Sequence, residues 1–384
     1  MKVLKFGGAV LNRENGFLSM VDIIKQRTDK CIIVISAFSD ITRSLDSSLQ
    51  LALNGNIESA MNIIDDVITY HKNLTSSLSL SAGPLEEVIY RIELLLKRLL
   101  KGISLTGEIS AKTRDLFLSQ GEEIAVIFIQ QLFHSKNIKS HLLDARKIII
   151  TTSEHGHAKP IDYHIQYKLQ DDVLPLFEKH DVMIIAGFIG SNEHGEVTTM
   201  GYESSNLTAS VLGSLLNADE IQIWTNVAGI RSVDPKLCGN NIPIRNISFN
   251  LAHVLANHGS KLLHHWMIEL PNKYNIPVTI RNAYDKNGEF TIINDEEMST
   301  IPTIFIVSDS IPLHSQTLLT IITTNTNIIK SLYEYCASKV DNNQIHLSTY
   351  VTPYLHTLSM NHSLVQDIID RLHIFIEARH ETSS

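Results

Sequence analysis

Residues 182–190 read "VMIIAGFIG", and after the polar turn "SNEHGE" residues 198–209 read "TTMGYESSNLTA". An apolar strand, a glycine turn and a helix opening on Ser, Asn and Thr together present backbone N–H groups to a phosphate in nucleotide-binding folds. Tyr202 and Glu203 lie in that turn, and neither side chain favours an anion. The stretch therefore predicts a phosphoryl-transfer fold whose turn has been altered.

Five further apolar runs alternate with helical patterns up to residue 295. They are "KVLKF" (2–6), "CIIVISA" (31–37), "HLLDARKIIIT" (141–151), "EIQIWT" (220–225) and "PVTIRNA" (277–283). Short apolar strands separated by helices are typical of parallel sheets buried on both faces. The sequence thus predicts an α/β fold, a three-layer sandwich with a mostly parallel sheet, and a helical insertion at about 44–118.

The pattern changes near residue 296, where the polar segment "NDEEMSTIPT" follows the last of these strands. We therefore predict a first domain at 1–295 and a second, small α+β domain at 300–384. Its apolar runs and helical patterns indicate a strand, a helix, two strands and a final helix.

Composition excludes several classes of protein. The 384 residues carry a formal net charge of −9, with 43% hydrophobic and 19% charged residues. An acidic chain with scattered Lys and Arg offers no basic surface to nucleic acid or an anionic membrane. Three widely spaced cysteines and the absence of a long apolar run predict a cytoplasmic protein without a disulfide framework, a signal peptide or a membrane span.

Candidate phosphate-binding residues follow the first strand. Gly7 and Gly8 would expose successive N–H groups, and Lys5 would supply a fixed positive charge. A tight turn without function is the alternative at this position. Ser36 and Thr42, after the second strand, offer hydroxyl groups to a ligand, although the same segment also reads as a plain helix start capped by Ser39 or Asp40.

Two charged residues and one loop complete the candidates. Glu122, in "TRDLFLSQGEEIA", either grips a substrate ammonium group or only favours the first turn of a helix. Lys261, in "HGSKLLHH", is a phosphate candidate or a solvated surface lysine. The loop "WTNVAGIRSVDPK" (224–236) could hold an adenine and a ribose. The histidines of "EHGH" and "LHH" lack zinc-site spacing, and we expect them to be solvated.

Taken in order, these motifs resemble the aspartokinase branch of the amino acid kinase family. The matching segments are "KFGG", "VISAFSDIT", "TRDLFLSQGE", "LDAR", "GFIGSNEHGEVTTMG", "NADEIQIWTNVAGIRSVDP", "ISFNLAHVLANHGSKLLH" and "YNIPVTIRN", from residue 2 to about 293. The resemblance implies an ATP-dependent kinase that phosphorylates the side-chain carboxylate of aspartate for synthesis of lysine, threonine and methionine.

The resemblance also assigns roles to residues. It implies that the phosphates are bound by Lys5, Gly7, Gly8 and Lys261. It implies that the amino-acid pocket includes Ser36, Thr42, Glu122 and Ser205. It implies that the nucleotide loop includes Thr225, Asn226, Arg231 and Lys236. Mg²⁺ would arrive on the ATP phosphates, and the C-terminal domain would resemble a single ACT module that forms a homodimer.

The main departure from the family lies in the opening stretch. The family pattern "TTLGRGGSD" is replaced by "TTMGYESSN", so Tyr202 stands for the arginine that grips the substrate carboxylate and Asn206 stands for an aspartate. A bidentate Arg–carboxylate contact contributes about 1.5–3 kcal/mol, and Arg43 is a candidate replacement, or else an exposed helix arginine. Three functions remain open: an aspartate kinase, a kinase for another small amino acid, and a non-catalytic nucleotide-binding regulator.

Overall fold

A computed structural model describes residues 1–80, 82–201, 203–239, 241–260, 262–296, 303–309, 316–324, 327–331, 334, 345–349, 355–361 and 365–370. Tyr202 and Lys261 lie outside the described residues. None of the described helices is both long enough and apolar enough to cross a lipid bilayer.

The chain divides into two compact units. The first comprises Met1–Val227 and Glu269–Gly288, and the second comprises Ala228–Ile268 and Glu289–Ser384. The segment after residue 227 thus enters the second unit and the chain returns at residue 269. The boundary predicted between residues 295 and 300 stays a prediction.

Six parallel strands form the centre of the first unit, in the order β11-β7-β1-β2-β4-β3. Their bounds are Lys2–Phe6 (β1), Cys31–Ile35 (β2), Ser140–Leu143 (β3), Val182–Ala186 (β4), Glu220–Thr225 (β7) and Val278–Asn282 (β11). Strand β2 is buried throughout, as its run of β-branched residues predicts. The predicted mostly parallel α/β sheet is confirmed.

Helices cover this sheet, and four consecutive helices lie in or overlap the region predicted as an insertion. After α1 (Glu14–Lys25) come α2 (Ile41–Leu53), α3 (Ile57–Ser77), α4 (Ala82–Thr106) and α5 (Ala111–Ser135). The insertion does not end near residue 118, because α5 continues through the buried run from Phe117 to Phe133. This continuation places Glu122 in the middle of α5, so the alternative that it sits in a first helical turn is wrong.

The remaining elements of the first unit connect the strands. They are α6 (Ala145–Ile148), α7 (Asp162–Lys168), a π-helical turn (Leu169–Val173), a 3₁₀ turn (Leu174–Glu178), the hairpin of β5 (Ile189–Ser191) and β6 (Val197–Thr199), and α8 (Ser205–Leu215). Helix α8 is the next element after the hairpin, so the opening stretch of sequence contains a strand, a hairpin and a helix. Helix α10 (His265–Tyr274) begins in the second unit and ends in the first.

The described residues of the second unit contain two strand pairs and one four-stranded sheet. Strands β8 (Ile230–Arg231) and β9 (Pro243–Ile244) pair antiparallel, and β10 (Asn246–Ser248), which precedes helix α9 (Phe249–Asn257), pairs in parallel with β12 (Phe290–Asn294). The third is an antiparallel sheet in the order β13-β14-β16-β15, with bounds Ile304–Asp309 (β13), Gln316–Ile322 (β14), Ile345–Thr349 (β15) and Leu355–Asn361 (β16).

Helical residues 327–331 and 365–370 accompany the antiparallel sheet, and their apolar side chains join its core with Phe305, Leu319 and Ile321. The described order is therefore two strands, a helical segment, two strands and a helical segment. The sequence predicted one strand fewer, because β13 was not counted apart from the run that follows it.

Candidate active site

Lys5 and Gly7 form one end of the candidate site, at the carboxyl end of β1. A Cβ built on Gly7 would lie 2.5 Å from Nζ of Lys5, so the ammonium group occupies the space that a side chain at residue 7 would need. Surrounding protein removes water from this ammonium and lowers the pKa of Lys5 to about 8, although the carboxylate of Glu203 opposes the shift. Gly8 lies close to the backbone of Ser39, because a Cβ built on residue 8 would be 3.2 Å from Cα of Ser39.

Glu203 therefore brings negative charge towards the lysine. It is exposed and adopts a left-handed backbone, with φ of 65°, which is costly for a residue with a Cβ. The family pattern has glycine here, and glycine would adopt this conformation without that cost. The unusual turn thus keeps a glycine-like backbone while adding a carboxylate within electrostatic reach of Lys5.

The loop after β2 forms the next part of the site. The backbone N–H of Ser36 donates to the carbonyl of Phe6 at 3.3 Å, which ties the end of β2 to the end of β1. Thr42 is half-buried in the first turn of α2. The side chain of Arg43 is 80% exposed, and its guanidinium pairs with Asp40 at 3.3 Å.

Glu122 lies against the same loop. Its Oε1 accepts a hydrogen bond from the N–H of Ala37 at 3.2 Å, while its Oε2 is buried without a hydrogen-bond partner. Burial raises the pKa of Glu122 to about 8, and the hydrogen bond from Ala37 only partly opposes it. A buried carboxyl group with one unused oxygen has the capacity to accept a hydrogen bond from a cationic ligand.

The N-terminus of α8 closes the site from the side of β4. A Cβ on Gly187 would lie 2.6 Å from Cβ of Ser205, so the helix can approach the strand end this closely only because residue 187 is glycine. The hydroxyl of Ser204 is buried without a partner just before the helix. Asn206 is half-buried one residue further on. The N–H groups and the positive end of the helix dipole suit an anion here.

Asp115 is a residue that the sequence analysis missed. It is fully buried and accepts four hydrogen bonds: from N and Oγ1 of Thr199 at 3.1 and 2.5 Å, from N of Gly156 at 3.0 Å and from Nδ1 of His155 at 2.8 Å. It precedes Glu122 by about two helical turns on the same face of α5. Asp115 thus fixes the start of the altered turn relative to Glu122. The spacing of Asp115 and Glu122 along α5 was the sequence feature that could have indicated Asp115.

The histidine of this network is not solvated as expected. The side chain of His155 is only 14% exposed, because it packs onto Asp115. The described residues include no group of three or more His, Cys, Asp or Glu side chains placed to hold a metal ion.

The candidate nucleotide-loop residues belong to different units. Thr225 ends β7 in the first unit, and exposed Asn226 follows it. In the second unit the guanidinium of Arg231 donates to Asn241, and the N–H of exposed Lys236 donates to the carboxylate of Asp234 at 2.9 Å.

Five of the predicted site residues lie around the ends of β1, β2 and β4, which are neighbouring strands. They are Lys5, Ser36, Thr42, Glu122 and Ser205.

This arrangement can bind a ligand that carries opposite charges. Lys5 and the N-terminus of α8 favour an anion, whereas the unused oxygen of Glu122 favours a cation. Carboxyl ends of parallel strands are the usual ligand-binding edge of open α/β sheets.

The sequence of this chain is similar to those of several known proteins. The sequence profile of the amino acid kinase family matches residues 1–282. The chain is 27% identical over 306 residues to a bifunctional aspartokinase/homoserine dehydrogenase of Buchnera aphidicola, covering 78% of this chain and 37% of that protein. It is 29% identical over 299 residues to chloroplastic aspartokinase 1 of Arabidopsis thaliana, covering 76% of this chain and 51% of that protein.

The fold is also found in solved structures. Escherichia coli aspartokinase III, crystallised with aspartate and ADP, superposes with a TM-score of 0.72 at 22% identity, covering 97% of this chain and 83% of that chain. The chain spans between about a third and a half of the length of the two relatives described above.

Proposed function

The chain belongs to the amino acid kinase family, and we propose that it transfers the γ-phosphate of ATP to the side-chain carboxylate of L-aspartate. The product would be 4-phospho-L-aspartate, which feeds synthesis of lysine, threonine and methionine. The observation that carries this proposal is the placement of Lys5 at the end of β1 and of the buried carboxyl of Glu122, whose Oε2 has no hydrogen-bond partner, against the loop that follows the neighbouring strand β2. An amino acid and a phosphate need these two opposite charges.

The phosphoryl group would move beside Lys5. Its ammonium, held against Gly7, supplies fixed positive charge, and the N–H groups of Gly7 and Gly8 supply donors to phosphate oxygens. From the sequence we assign Lys261 to the same task and the loop from Thr225 to Lys236 to the nucleotide. Mg²⁺ would be held by the ATP phosphates and would neutralise part of their charge.

The amino acid would be gripped by Glu122. At neutral pH this carboxyl is largely protonated in the free protein, because burial raises its pKa to about 8. An incoming ammonium group stabilises the carboxylate form, so binding displaces the proton and gives Oε2 its missing partner. Ser36, Thr42 and Ser205 offer hydroxyl groups around the rest of the substrate.

The reaction needs no general base. The accepting carboxylate has an ordinary pKa of about 4 and is already ionised at neutral pH. Positioning and neutralisation of charge therefore carry the rate, and Asp115 contributes by holding the turn at Thr199 in place.

A kinase for another small amino acid is the second candidate. The observation that favours it is Glu203, whose carboxylate stands where the family pattern has glycine and faces Lys5. Tyr202 in place of arginine removes a cation for the second carboxylate of aspartate, and Arg43, whose guanidinium pairs with Asp40, would have to reorient to replace it. We further propose a cytoplasmic enzyme that dimerises through its ACT-like C-terminal domain.

An acceptor screen tests the activity. The purified chain is incubated with ATP, Mg²⁺, hydroxylamine and each of a panel of small amino acids, because hydroxylamine traps an acyl phosphate as a coloured hydroxamate. We expect the strongest signal with aspartate. A stronger signal with a different acceptor would support the second candidate. ATP binding without hydroxamate from any acceptor would refute both and support a non-catalytic regulator.

Removing the charge of Glu203 should improve nucleotide use. Glu203→Gln eliminates a carboxylate that repels phosphate and competes for Lys5, and an exposed charge pair of this kind changes affinity by about two- to fivefold. We expect the KM for ATP to fall by that factor in steady-state assays. Glu193→Gln, in the preceding turn, serves as the control, since its carboxylate pairs with His164 instead.

A second variant separates charge from backbone strain. Glu203→Gly removes both, because glycine adopts the positive φ without a Cβ. Equal improvement in both variants assigns the effect to charge. An unchanged KM in Glu203→Gln would show that this carboxylate does not act on the nucleotide.

A further inference from the structure

Helix α4 presents an outer face that no other described part of the chain covers. Its inner face is buried through Leu85, Ile89, Ile92, Leu96, Leu100 and Ile103. On the opposite face Tyr90 is 62% exposed and Leu94 is 38% exposed. A groove of about 730 Å³ runs along this outer face and is lined by Glu87, Val88, Tyr90, Arg91, Leu94, Leu95 and Arg98. Large apolar side chains in an exposed groove mark an interaction surface.

Charge is distributed unevenly along the groove. Glu87 lies at its N-terminal end and Arg98 at its C-terminal end, with Tyr90, Leu94 and Leu95 between them. Within the part of the chain that the structure describes, neither Glu87 nor Arg98 forms a salt bridge. Arg91, beside the apolar centre, is held by Glu123 at 2.6 Å. The two ends of the groove therefore offer charges of opposite sign to a partner.

We propose that this groove is occupied by α4 of a second copy of the chain, lying antiparallel about a two-fold axis near residues 92 and 93. In that register Glu87 of each copy meets Arg98 of the other. Tyr90 meets Leu95, and Arg91 meets Leu94. One acidic end and one basic end make the face self-complementary only in the antiparallel sense, which is the requirement of a two-fold interface.

The spacing of the outer residues supports a helix pair. The outer residues are spaced alternately by four and three positions, the pattern by which two helices pack side by side. They are Glu87, Arg91, Leu94, Arg98 and Leu105, and the interval from Arg98 to Leu105 equals one step of three plus one of four. A single helix pair is smaller than the ~1,200 Å² of standard interfaces. We therefore expect a weak association, with a Kd of about 10 μM. The interface is separate from any dimer formed through the C-terminal domain, and it does not depend on the proposed activity.

Charge reversal tests both the occupant and the register. Glu87→Arg places like charges at both ends of the interface, and so does Arg98→Glu, so each variant alone should weaken association by at least about tenfold. An equimolar mixture of the two variants restores two opposite pairs. The introduced arginine of one variant meets the introduced glutamate of the other, and the unchanged Arg98 of the first meets the unchanged Glu87 of the second. Sedimentation velocity over a range of concentrations measures the mean mass in each case.

The expected result is a lower mass for each single variant and recovery of the wild-type mass in the mixture. Glu86→Arg is the matched control, since it makes the same charge change about 100° around the helix and should leave the mass unchanged. Circular dichroism checks that every variant is folded. Single variants with wild-type mass, or a mixture that does not recover, would overturn the proposal and leave a helix of a different protein as the occupant.

Discussion

Replacing Lys5 by methionine is expected to lower kcat by about 10³-fold. The ammonium is held against Gly7 at the end of β1, where a fixed charge stabilises the phosphoryl group in transfer without reorganisation. Hydroxamate formation from the preferred acceptor measures the effect. ATP binding, followed by calorimetry, should weaken far less than kcat falls.

Lys2→Met is the matched control for this experiment. Lys2 lies on the same strand, but its ammonium pairs with Glu220 at 3.0 Å near the opposite end of that strand. Its loss should leave kcat unchanged. A Lys5→Met enzyme that kept a tenth or more of the wild-type rate would show that the phosphoryl group does not pass this lysine.

The dependence of kcat/KM on pH provides an independent test of the role of Lys5. Because the pKa of Lys5 is lowered to about 8 in the free protein, its ammonium loses its proton as pH rises through 8. The value of kcat/KM for ATP should therefore fall above about pH 8. In Lys5→Arg this decline should disappear, since a guanidinium stays charged to above pH ~12.

Glu122→Gln is expected to raise the KM for the amino acid by about 100-fold, because a buried charge pair loses one partner when its carboxylate is removed. The KM for ATP should stay near the wild-type value. Glu123→Gln is the matched control, because the neighbouring carboxylate pairs with Arg91 at 2.6 Å instead. An unchanged amino-acid KM in Glu122→Gln would mean that the ammonium group binds elsewhere.

Glu122→Gln should weaken substrate binding but remove a loss of stability that Glu122 causes as the pH rises. The pKa of Glu122 is about 8 in the folded protein and about 4.5 in the unfolded chain, so the unfolded state loses its proton first as pH rises. Between pH 4.5 and 8 this residue lowers the free energy of unfolding by about 1.4 kcal/mol per pH unit. Glu122→Gln should lack that decline, which urea unfolding at pH 5 and pH 8 would measure, and its weaker substrate binding could then not be attributed to unfolding.

The order of strands and helices could be predicted from the sequence because it depends on local pattern. Runs such as "CIIVI" are apolar at every position, as a parallel strand with two buried faces requires. Lys5 with Gly7 and Gly8 could be proposed for the same reason, since the lysine and the glycines are neighbours along one strand and its turn. The family motifs added the nature of the ligand to positions that local chemistry had already selected.

Directions and long-range contacts of side chains were decided only by the tertiary structure. Glu122 contacts Ala37, 85 residues away in sequence, and burial in this packing raises the pKa of its carboxyl although the hydrogen bond from Ala37 partly opposes the rise. Asp115 becomes fully buried only because Thr199 and Gly156 are brought to it. Arg43 points to Asp40 and solvent, which the helical pattern of α2 did not specify.

The altered turn also separates what the sequence determined from what the tertiary structure decided. The sequence identified Glu203 as unusual, but the chain's path had to bring it towards Lys5 before its carboxylate could oppose the effect of burial on that lysine. Electrostatic energy depends on distance and on the exclusion of water, and both arise from packing between segments that are remote in sequence. The residue types of the site can therefore be read from the local sequence, whereas the protonation and the contacts of their side chains depend on the fold.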